Sequence, residues 1–182
     1  MKWFIASDIH GSAYYCRQML EAFKREGADR ILLLGDILYH GPRNELPEEY
    51  DTKAVATMLN EFKEITVSVQ GNCDAEVDQW VLEFPILAKN MFLTEGGVSV
   101  FATHGHKYRE DAPPAQAKGG VLLCGHTHKP ECSEHDSFVY VNPGSVSIPK
   151  EGAPHSYMIM ENGQFIWKDL EGKEFMRYPE AE

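Results

Sequence analysis

The stretch WFIASDIHGS, residues 3 to 12, carries a short apolar run directly into a cluster of polar side chains. Trp3 to Ala6 has the near-continuous apolar character of a strand that is buried on both faces. Ser12 is a suitable N-cap for a following helix, in which apolar residues repeat at helical spacing until Gly27 provides a stop. The stretch therefore predicts a buried strand that ends in chemically active residues and continues into an amphipathic helix.

The same arrangement recurs along the chain. Further apolar runs predict strands at residues 31–34, 66–69, 98–102 and 121–124. A second helix, with its N-cap at Asp51 or Thr52, is predicted between the second and third strands. This β-α-β-α-β order indicates an α/β protein with a parallel sheet and right-handed crossovers.

The sequence after Val98 has a different texture, with short alternating segments and turn residues between them. The segments at 138–141, 157–160 and 165–168 are typical of antiparallel strands, which we expect to form a second sheet or a sheet edge. Residues 177–182 are expected to be a frayed tail.

Each of the five predicted strands runs into a polar cluster at its carboxyl end. Ligands of open α/β sheets bind outside the carboxyl ends of the strands, so these clusters are expected to converge. In chain order they are SDIHGS (7–12), GDILYHGPRN (35–44), GNCDAE (71–76), THGH (103–106) and GHTH (125–128).

Two clusters place potential metal ligands two residues apart, Asp8 with His10 and His126 with His128. If the extended conformation continues that far, side chains at i and i+2 leave the same face, so each pair can address one point. The other clusters add a carboxylate, an amide oxygen and an imidazole, from Asp36, Asn72 and His104.

These seven donors are too many for one metal ion and suit two ions that share a bridging Asp. Oxygen and nitrogen donors without thiolate favour Mn²⁺, Fe or Zn²⁺. Two divalent ions carry four positive charges, of which two carboxylates neutralise two and a bridging hydroxide one. The centre keeps a net charge of about +1, which can hold a phosphate ester. The prediction is metal-assisted phosphoester hydrolysis, although each cluster taken alone has an ordinary explanation as a turn or a surface pair.

Composition limits the other classes of function. The chain has 182 residues, 43% of them hydrophobic, which suits one domain over residues 1–182. Its net charge is -11 and no run of Lys or Arg is present, so neither stable nucleic-acid binding nor membrane association is expected. Without a signal-peptide core or an apolar run of bilayer length, we expect a cytoplasmic protein, with its four cysteines as reduced thiols.

The order of these motifs along the chain resembles that of the calcineurin-like metallophosphoesterase superfamily. The motifs are DxH, GD, GNCD, H and GHxH. VNPGSVSIPK (141–150) and HGPRN (40–44) resemble its small bacterial YfcE-like phosphodiesterases. The resemblance implies a four-layer α/β/β/α sandwich with a dinuclear metal site at the carboxyl ends of the strands, with Mn²⁺ expected before Fe or Zn²⁺. Carried over position by position, the first metal takes Asp8, His10, Asp36 and His128, and the second takes Asp36, Asn72, His104 and His126.

One position departs from the family. Many members keep a His after the Asn ligand, paired with the following acid, whereas this chain has Cys73 followed by Asp74. A thiol with a pKa of about 8.5 is a weaker proton donor to the leaving group and brings no positive charge. We therefore expect a preference for diesters with acidic leaving groups, or another donor nearby. The candidate catalytic residues are Cys73 as a weak donor, Asp74 as an orienting or capping acid, His106 or His40 as the alternative donor, and Arg43 as a phosphate clamp.

The leading hypothesis is a metal-dependent enzyme that hydrolyses a small phosphodiester by in-line attack of a metal-bridging hydroxide. The alternatives are a phosphomonoesterase or nucleotidase and, from a different class, a protein-binding scaffold like the Vps29 component of retromer. A homo-oligomer also stays open, since Trp80, Val81, Phe84 and Met91 could form an apolar patch. Burial of these residues against the sheet is the preferred interpretation.

Overall fold

A computed structural model of the protein describes residues 1–179. Two short 3₁₀ turns, Asp78–Trp80 and Ala115–Ala117, accompany the strands and helices of this range. In chain order those are β1 Trp3–Ala6, α1 Ala13–Glu26, β2 Arg30–Leu33, α2 Thr52–Asn60, β3 Thr66–Ser68, β4 Asn90–Glu95, β5 Val98–Thr103, β6 Val121–Leu123, β7 Pro130–Glu134, β8 Val139–Pro143, β9 Ser156–Glu161, β10 Gln164–Asp169 and β11 Glu174–Tyr178.

Both helices begin where their capping residues predict. The Ser12 hydroxyl accepts a hydrogen bond from the backbone N–H three residues on, and α1 ends at Gly27, which adopts the left-handed conformation with φ of 60°. The Asp51 carboxylate accepts hydrogen bonds from two amides in the first turn of α2. These caps place α1 and α2 between the first three strands.

The strands form two mixed sheets. The first has the order β11-β10-β9-β1-β2-β3, with β1, β2 and β3 parallel, and the second has the order β4-β5-β6-β8-β7, with β5, β6 and β8 parallel. All five apolar runs of the sequence are strands in this arrangement. The carboxyl ends of β1, β2 and β3 therefore meet those of β5 and β6 at one end of the molecule.

The later strands pair antiparallel as expected, and they divide between an edge of the first sheet and the second sheet. Residues 157–160 and 165–168 belong to β9 and β10, which extend the first sheet by pairing antiparallel to β1 and to each other. Residues 138–141 lie largely in β8, which runs parallel to β6 in the second sheet. Arg177 and Tyr178, expected in a frayed tail, pair with β10, whereas residues 180–182 lie outside the described residues.

The two sheets pack face to face over an apolar core that includes Ile5, Leu32, Leu123 and Trp167. The helices cover the outer face of the first sheet. The outer face of the second sheet is covered by the Ala115–Ala117 turn and neighbouring loops. The predicted layered sandwich is confirmed, with its fourth layer reduced in the described residues to this short turn.

The surface near the first 3₁₀ turn, Asp78–Trp80, differs from the sequence-based expectation. Trp80 is 84% exposed and Val81 is 50% exposed, so their predicted burial is wrong, whereas Phe84 is buried at 1%. Within residues 1–179, no helix has both the length and the apolar character needed to cross a membrane.

Candidate metal centre

The loops after β2 and β3 touch each other, which brings two of the predicted clusters together. A Cβ atom on Gly71 would lie 2.1 Å from Asp36 Oδ1, and one on Gly35 would lie 2.3 Å from the Gly71 nitrogen. Gly35 also has φ of 95°, which favours glycine. Only residues without a side chain allow this contact between the two loops.

Asp8, His10 and His128 form one group of converging donor atoms. Asp8 Oδ1 lies 3.5 Å from His10 Nε2 and 3.2 Å from His128 Nε2, and the two ring nitrogens are 3.4 Å apart. All three side chains are buried.

The tautomers of this first group follow from its outer hydrogen bonds. His10 Nδ1 must donate to the carbonyl of Tyr39 at 2.8 Å, and His128 Nδ1 to that of Ile148 at 2.7 Å. Neutral rings therefore turn both Nε2 lone pairs toward Asp8 Oδ1, a buried oxygen without a hydrogen-bond partner. Three acceptors face one another, an arrangement that a bound cation satisfies.

Electrostatics at the first group point the same way. Burial lowers the pKa of His10, but the adjacent Asp8 carboxylate outweighs it, so the pKa is raised overall. Burial opposes ionisation of Asp8, yet the neighbouring imidazoles hold its pKa well below the usual range. The group of Asp8, His10 and His128 therefore favours a positive charge at its centre.

Asp36, Asn72, His104 and His126 form the second group. His104 Nε2 lies 3.0 Å from Asn72 Oδ1, 3.2 Å from His126 Nδ1 and 3.4 Å from Asp36 Oδ2. His104 Nδ1 donates to the carbonyl of Leu34 at 2.7 Å, which directs the Nε2 lone pair of the neutral ring into the group.

The two histidines of this group have opposite shifts. Burial lowers the pKa of His104, but its hydrogen bond with Asp36 and the charge of Asp8 raise it to about 9. Burial and the positive charge of His104 lower the pKa of His126 to about 4. The second group thus holds one positive charge easily and resists a second proton.

Asp36 lies between the two groups, as the predicted bridging ligand should. Its Oδ2 is 3.4 Å from His104 Nε2 and 3.7 Å from His10 Nε2. The structure thus brings together all seven predicted ligands, in the same two sets that the resemblance implied.

The backbone route to this convergence differs from the expectation of extended chain. Asp8 and His10 both have positive φ, so the i, i+2 argument is wrong for them, and His126 and His128 turn to different groups. Non-glycine residues with positive φ are strained and concentrate at functional sites. The φ values are 59° for Asp8, 49° for His10, 55° for Asp36, 68° for His126 and 62° for His128.

Asp74 faces the backbone of the loops and not the metal ligands. Its carboxylate accepts hydrogen bonds from the amides of Asp36 and Ile37 at 2.8 Å each and of Gly71 at 2.7 Å. The residue is 6% exposed. These bonds make Asp74 a positioning residue for Asp36, consistent with the orienting or capping acid expected from the sequence.

A cavity of about 310 Å³ opens onto the metal ligands. Among the predicted catalytic residues, Cys73 and Arg43 line it, and His106 and His40 do not. Asn44 and Lys150 also line the cavity; neither received an individual role from the sequence, although they fall in the stretches HGPRN and VNPGSVSIPK. The lining residues are His10, Asp36, Gly41, Pro42, Arg43, Asn44, Asn72, Cys73, His126, His128 and Lys150.

The Cys73 thiol lies close to the predicted ligands without being a good one. Its sulfur is within 4.8 Å of donor atoms of His10 and Asp36. Burial and the Asp36 charge raise its pKa to about 12, so the sulfur stays protonated at neutral pH, and the neutral thiol is a poor metal ligand. The backbone N–H of Cys73 donates to Asp36 Oδ1 at 2.8 Å, which helps to orient the bridging carboxylate.

His106 and His40 sit beside the site. The His106 ring centroid is 5.4 Å from that of His104 and 6.2 Å from that of His126. Burial and the charge of His104 lower the pKa of His106. The His40 ring packs edge-on against Tyr39 and Tyr50. Because neither ring lines the cavity, neither is placed to reach a leaving group there.

Two facing sheets whose parallel strands deliver Asp, Asn and His to one end define a metallophosphoesterase. Residues 1–164 match the model of the calcineurin-like phosphoesterase superfamily domain, so the chain belongs to that superfamily. It is 46% identical over 162 residues to phosphodiesterase YfcE of Escherichia coli strain K12, across 89% of this chain and 88% of that protein.

Solved structures agree with this assignment. The structure of YfcE superposes with a TM-score of 0.93 at 42% identity, across 97% of this chain and 98% of that one. An archaeal phosphodiesterase, at 22% identity, superposes with a TM-score of 0.68 across 92% of this chain and 99% of its own. Vps29 from Cryptosporidium parvum, at 15% identity, does so with a TM-score of 0.61 across 97% of each chain. The last two similarities show the fold alone.

Proposed function

We propose that the protein is a Mn²⁺-dependent phosphodiesterase that hydrolyses small phosphodiesters in the cytoplasm. The observation that carries the proposal is the convergence of His10 and His128 on Asp8 Oδ1, a buried oxygen without a hydrogen-bond partner, beside the second group of ligands around His104 Nε2. The name of the relative YfcE supports the diester preference. Family membership supports divalent ions as cofactors.

The donor sets fit two such ions. Asp8, His10 and His128 would hold one, and Asn72, His104 and His126 the other, with Asp36 contributing to both. When bound there, two divalent ions would supply the chemistry of the reaction, since such a pair can lower the pKa of a shared water and stabilise the attacking and leaving oxygens of an in-line displacement. Mn²⁺ suits these oxygen and imidazole donors, and Fe or Zn²⁺ is the alternative.

The role of the protein's own groups is to orient the metal ligands and to bind the phosphate. The carbonyls of Leu34, Tyr39 and Ile148 fix the imidazole tautomers, so that the lone pairs face inward. Asp74 and the Cys73 amide hold Asp36 in place. Arg43 lines the cavity and offers a planar donor fork to phosphate oxygens.

Proton donation to the leaving group is the weak point of this site. Cys73 lines the cavity, but a thiol with its pKa raised to about 12 transfers a proton reluctantly. Esters whose leaving group is stable as an anion need no donor. The expected substrates in vitro are therefore diesters with acidic leaving groups.

Two alternatives remain as proposals of lower rank. A phosphomonoesterase or nucleotidase would use the same ligands on a more highly charged phosphate. A Vps29-like scaffold would need no ligands, whereas all seven positions here carry competent donors. As partners we propose a small phosphoester, without stable binding of nucleic acid or membrane, and leave room for a homo-oligomer through the exposed Trp80.

Parallel assays separate these functions. The protein is dialysed against EDTA and assayed with bis(4-nitrophenyl) phosphate and 4-nitrophenyl phosphate, without added metal and with Mn²⁺, Fe²⁺ or Zn²⁺. We expect faster diester turnover that depends on added Mn²⁺. Faster monoester turnover would support the phosphomonoesterase, and no hydrolysis with any metal would support the scaffold.

The Asp36→Asn variant tests whether one carboxylate serves both groups. We expect this variant to retain fewer metal ions per chain and to lose at least about 100-fold in diester turnover, because the shared ligand loses its charge. Asp111→Asn is the matched control, since Asp111 forms an exposed pair with Arg109. Unchanged metal content and turnover in Asp36→Asn would rule out a dinuclear centre.

A further inference from the structure

Two cations line the catalytic cavity without an acidic partner. Arg43 and Lys150 both contribute to the wall of the 310 Å³ cavity. Within residues 1–179 neither forms an ion pair, and Glu151, next to Lys150 in the chain, pairs with Lys129 instead. Unpaired cations at a cavity wall are notable in a protein whose net charge is -11.

Arg43 lies on a loop that is tied to the first group of ligands. The loop begins at Tyr39, whose carbonyl accepts the Nδ1 hydrogen bond of His10 at 2.8 Å. It is closed by the Asn44 side-chain amide, which donates to the carbonyl of His40 at 2.8 Å. These bonds fix the turn that carries Arg43 relative to His10.

Lys150 is tied to the same group from the other side. His128 Nδ1 donates to the carbonyl of Ile148 at 2.7 Å, and the Lys150 amide donates to the carbonyl of His128 at 3.1 Å. These two hydrogen bonds fix the segment from Ile148 to Lys150 relative to His128. Each cation thus belongs to a loop anchored on an imidazole of the group built on Asp8.

The charge of a simple diester does not account for these two cations. A phosphodiester carries one negative charge, about what a dinuclear centre with its two carboxylates and hydroxide neutralises. In residues 1–179 the remaining wall is formed by Gly41, Pro42, Asn44 and Cys73, so it has no large aliphatic or aromatic side chain for an apolar ester group. A second anionic group on the substrate would fit both observations.

We infer that the substrate is a phosphodiester that carries a further phosphate-like dianion, bound by Arg43 and Lys150 on the side of the Asp8 group. This inference rests on the proposed phosphodiesterase function. The guanidinium offers a bidentate fork to such a group, and the ammonium adds a point charge. The two residues determine specificity, and the metal ligands perform the hydrolysis.

A matched pair of substrates tests the inference. The two substrates are 4-nitrophenyl propyl phosphate and 4-nitrophenyl 2-phosphonoethyl phosphate. They share the leaving group, and only the latter carries a phosphonate group in addition to the diester. With the Mn²⁺-loaded protein we expect kcat/KM for the phosphono substrate to be higher by about 100-fold, about tenfold for each of the two charge-assisted interactions. The ratio should decrease as NaCl is raised, because salt screens exposed charges.

Variants assign the effect to the two cations. Arg43→Met and Lys150→Met should each reduce the ratio of kcat/KM values, phosphono over propyl, by about tenfold. Lys129→Met is the control, since Lys129 is paired with Glu151 and does not line the catalytic cavity, and it should keep the wild-type ratio.

The outcomes separate the inference from the proposed function. Equal kcat/KM for both substrates in the wild type, or an unchanged ratio in both variants, would overturn the inference and leave a phosphodiesterase of other specificity. Hydrolysis of neither substrate would overturn the proposed function and this inference with it.

Discussion

At the scale of single residues, Asp74 shows how a side chain can matter for the site without touching substrate. It accepts three backbone hydrogen bonds that join the loops after β2 and β3. In Asp74→Ala these buried amides lose their acceptor, so we expect the free energy of unfolding to fall by about 3 kcal/mol or more.

Urea unfolding and metal content measure this effect of Asp74→Ala together. Metal affinity should fall too, because Asp36 loses its support. Asp136→Ala, at an exposed position of the β7–β8 hairpin, serves as the control. Unchanged unfolding and metal content in Asp74→Ala would mean that the three hydrogen bonds do not position Asp36.

Cys73 is the candidate proton donor at the wall of the cavity. Cys73→His supplies a better proton donor at the cavity wall, so turnover of diesters with poor leaving groups should rise relative to good ones by about tenfold. The measurement is the slope of log kcat/KM against the leaving-group pKa. Cys132→His, on β7, is the control, and the same slope in wild type and Cys73→His would show that this position has no acid role.

At the scale of elements, the end of α1 is joined to the first sheet by Glu26. Its carboxylate accepts hydrogen bonds from Tyr157 and Lys168 at 2.8 Å each and from Lys2 at 3.3 Å. Burial raises the pKa of Glu26, but the three donors outweigh it and lower the pKa below the ordinary 4.5. The ionised group therefore stabilises the fold above about pH 4.5, and that contribution is lost as the pH falls through the lowered value.

Glu26→Gln tests this linkage. Its Tm at pH 7 should be lower than that of the wild type by about 2 to 4 °C, and the difference should shrink toward zero in acid below the lowered pKa. Thermal unfolding followed by circular dichroism across pH measures it. Glu21→Gln, at an exposed position of the same helix, should show no such trend. A difference in Tm that does not change with pH would contradict the linkage.

Elements with strong local signals could be predicted from the sequence, and sheet membership could not. Ser12, Gly27 and Asp51 mark the helix ends because capping depends on neighbouring residues alone. An alternating pattern does not say which strand lies next to it, so the sequence left β9 and β10 open between a second sheet and a sheet edge, and the fold places them at an edge of the first sheet. The edge strand β4 was missed because residues such as Phe92, 58% exposed, break the pattern of a buried strand.

The candidate site divides in the same way. Its seven ligands could be predicted because each follows a strand and matches a family motif. The left-handed backbone conformation of five of these ligands could not be predicted, nor could the three amides that surround Asp74. Both features depend on contacts between loops that are distant in sequence. Lys150 was missed for this reason, since its amide meets the carbonyl of His128 only in the folded chain.

At the scale of the whole molecule, the two groups of facing acceptors predict that metal stabilises the fold. Mn²⁺ at 100 times its Kd adds about 2.7 kcal/mol, which should raise Tm by roughly 5 to 10 °C after EDTA treatment. Differential scanning calorimetry with and without Mn²⁺ measures the shift. It should persist in His135→Ala, whose ring pairs with Glu110, and shrink in Asp36→Asn. No shift in the wild type would argue against a built metal site.

The positive φ angles of five ligands have a consequence for how such a protein can change over time. Each non-glycine residue held in this conformation costs about 1 kcal/mol or more, which glycine largely avoids. Selection for heat resistance alone, applied to the metal-free chain, would therefore replace these ligands first. Substitutions that abolish catalysis at these positions would increase the stability of the metal-free fold. Activity therefore persists only where it is itself selected.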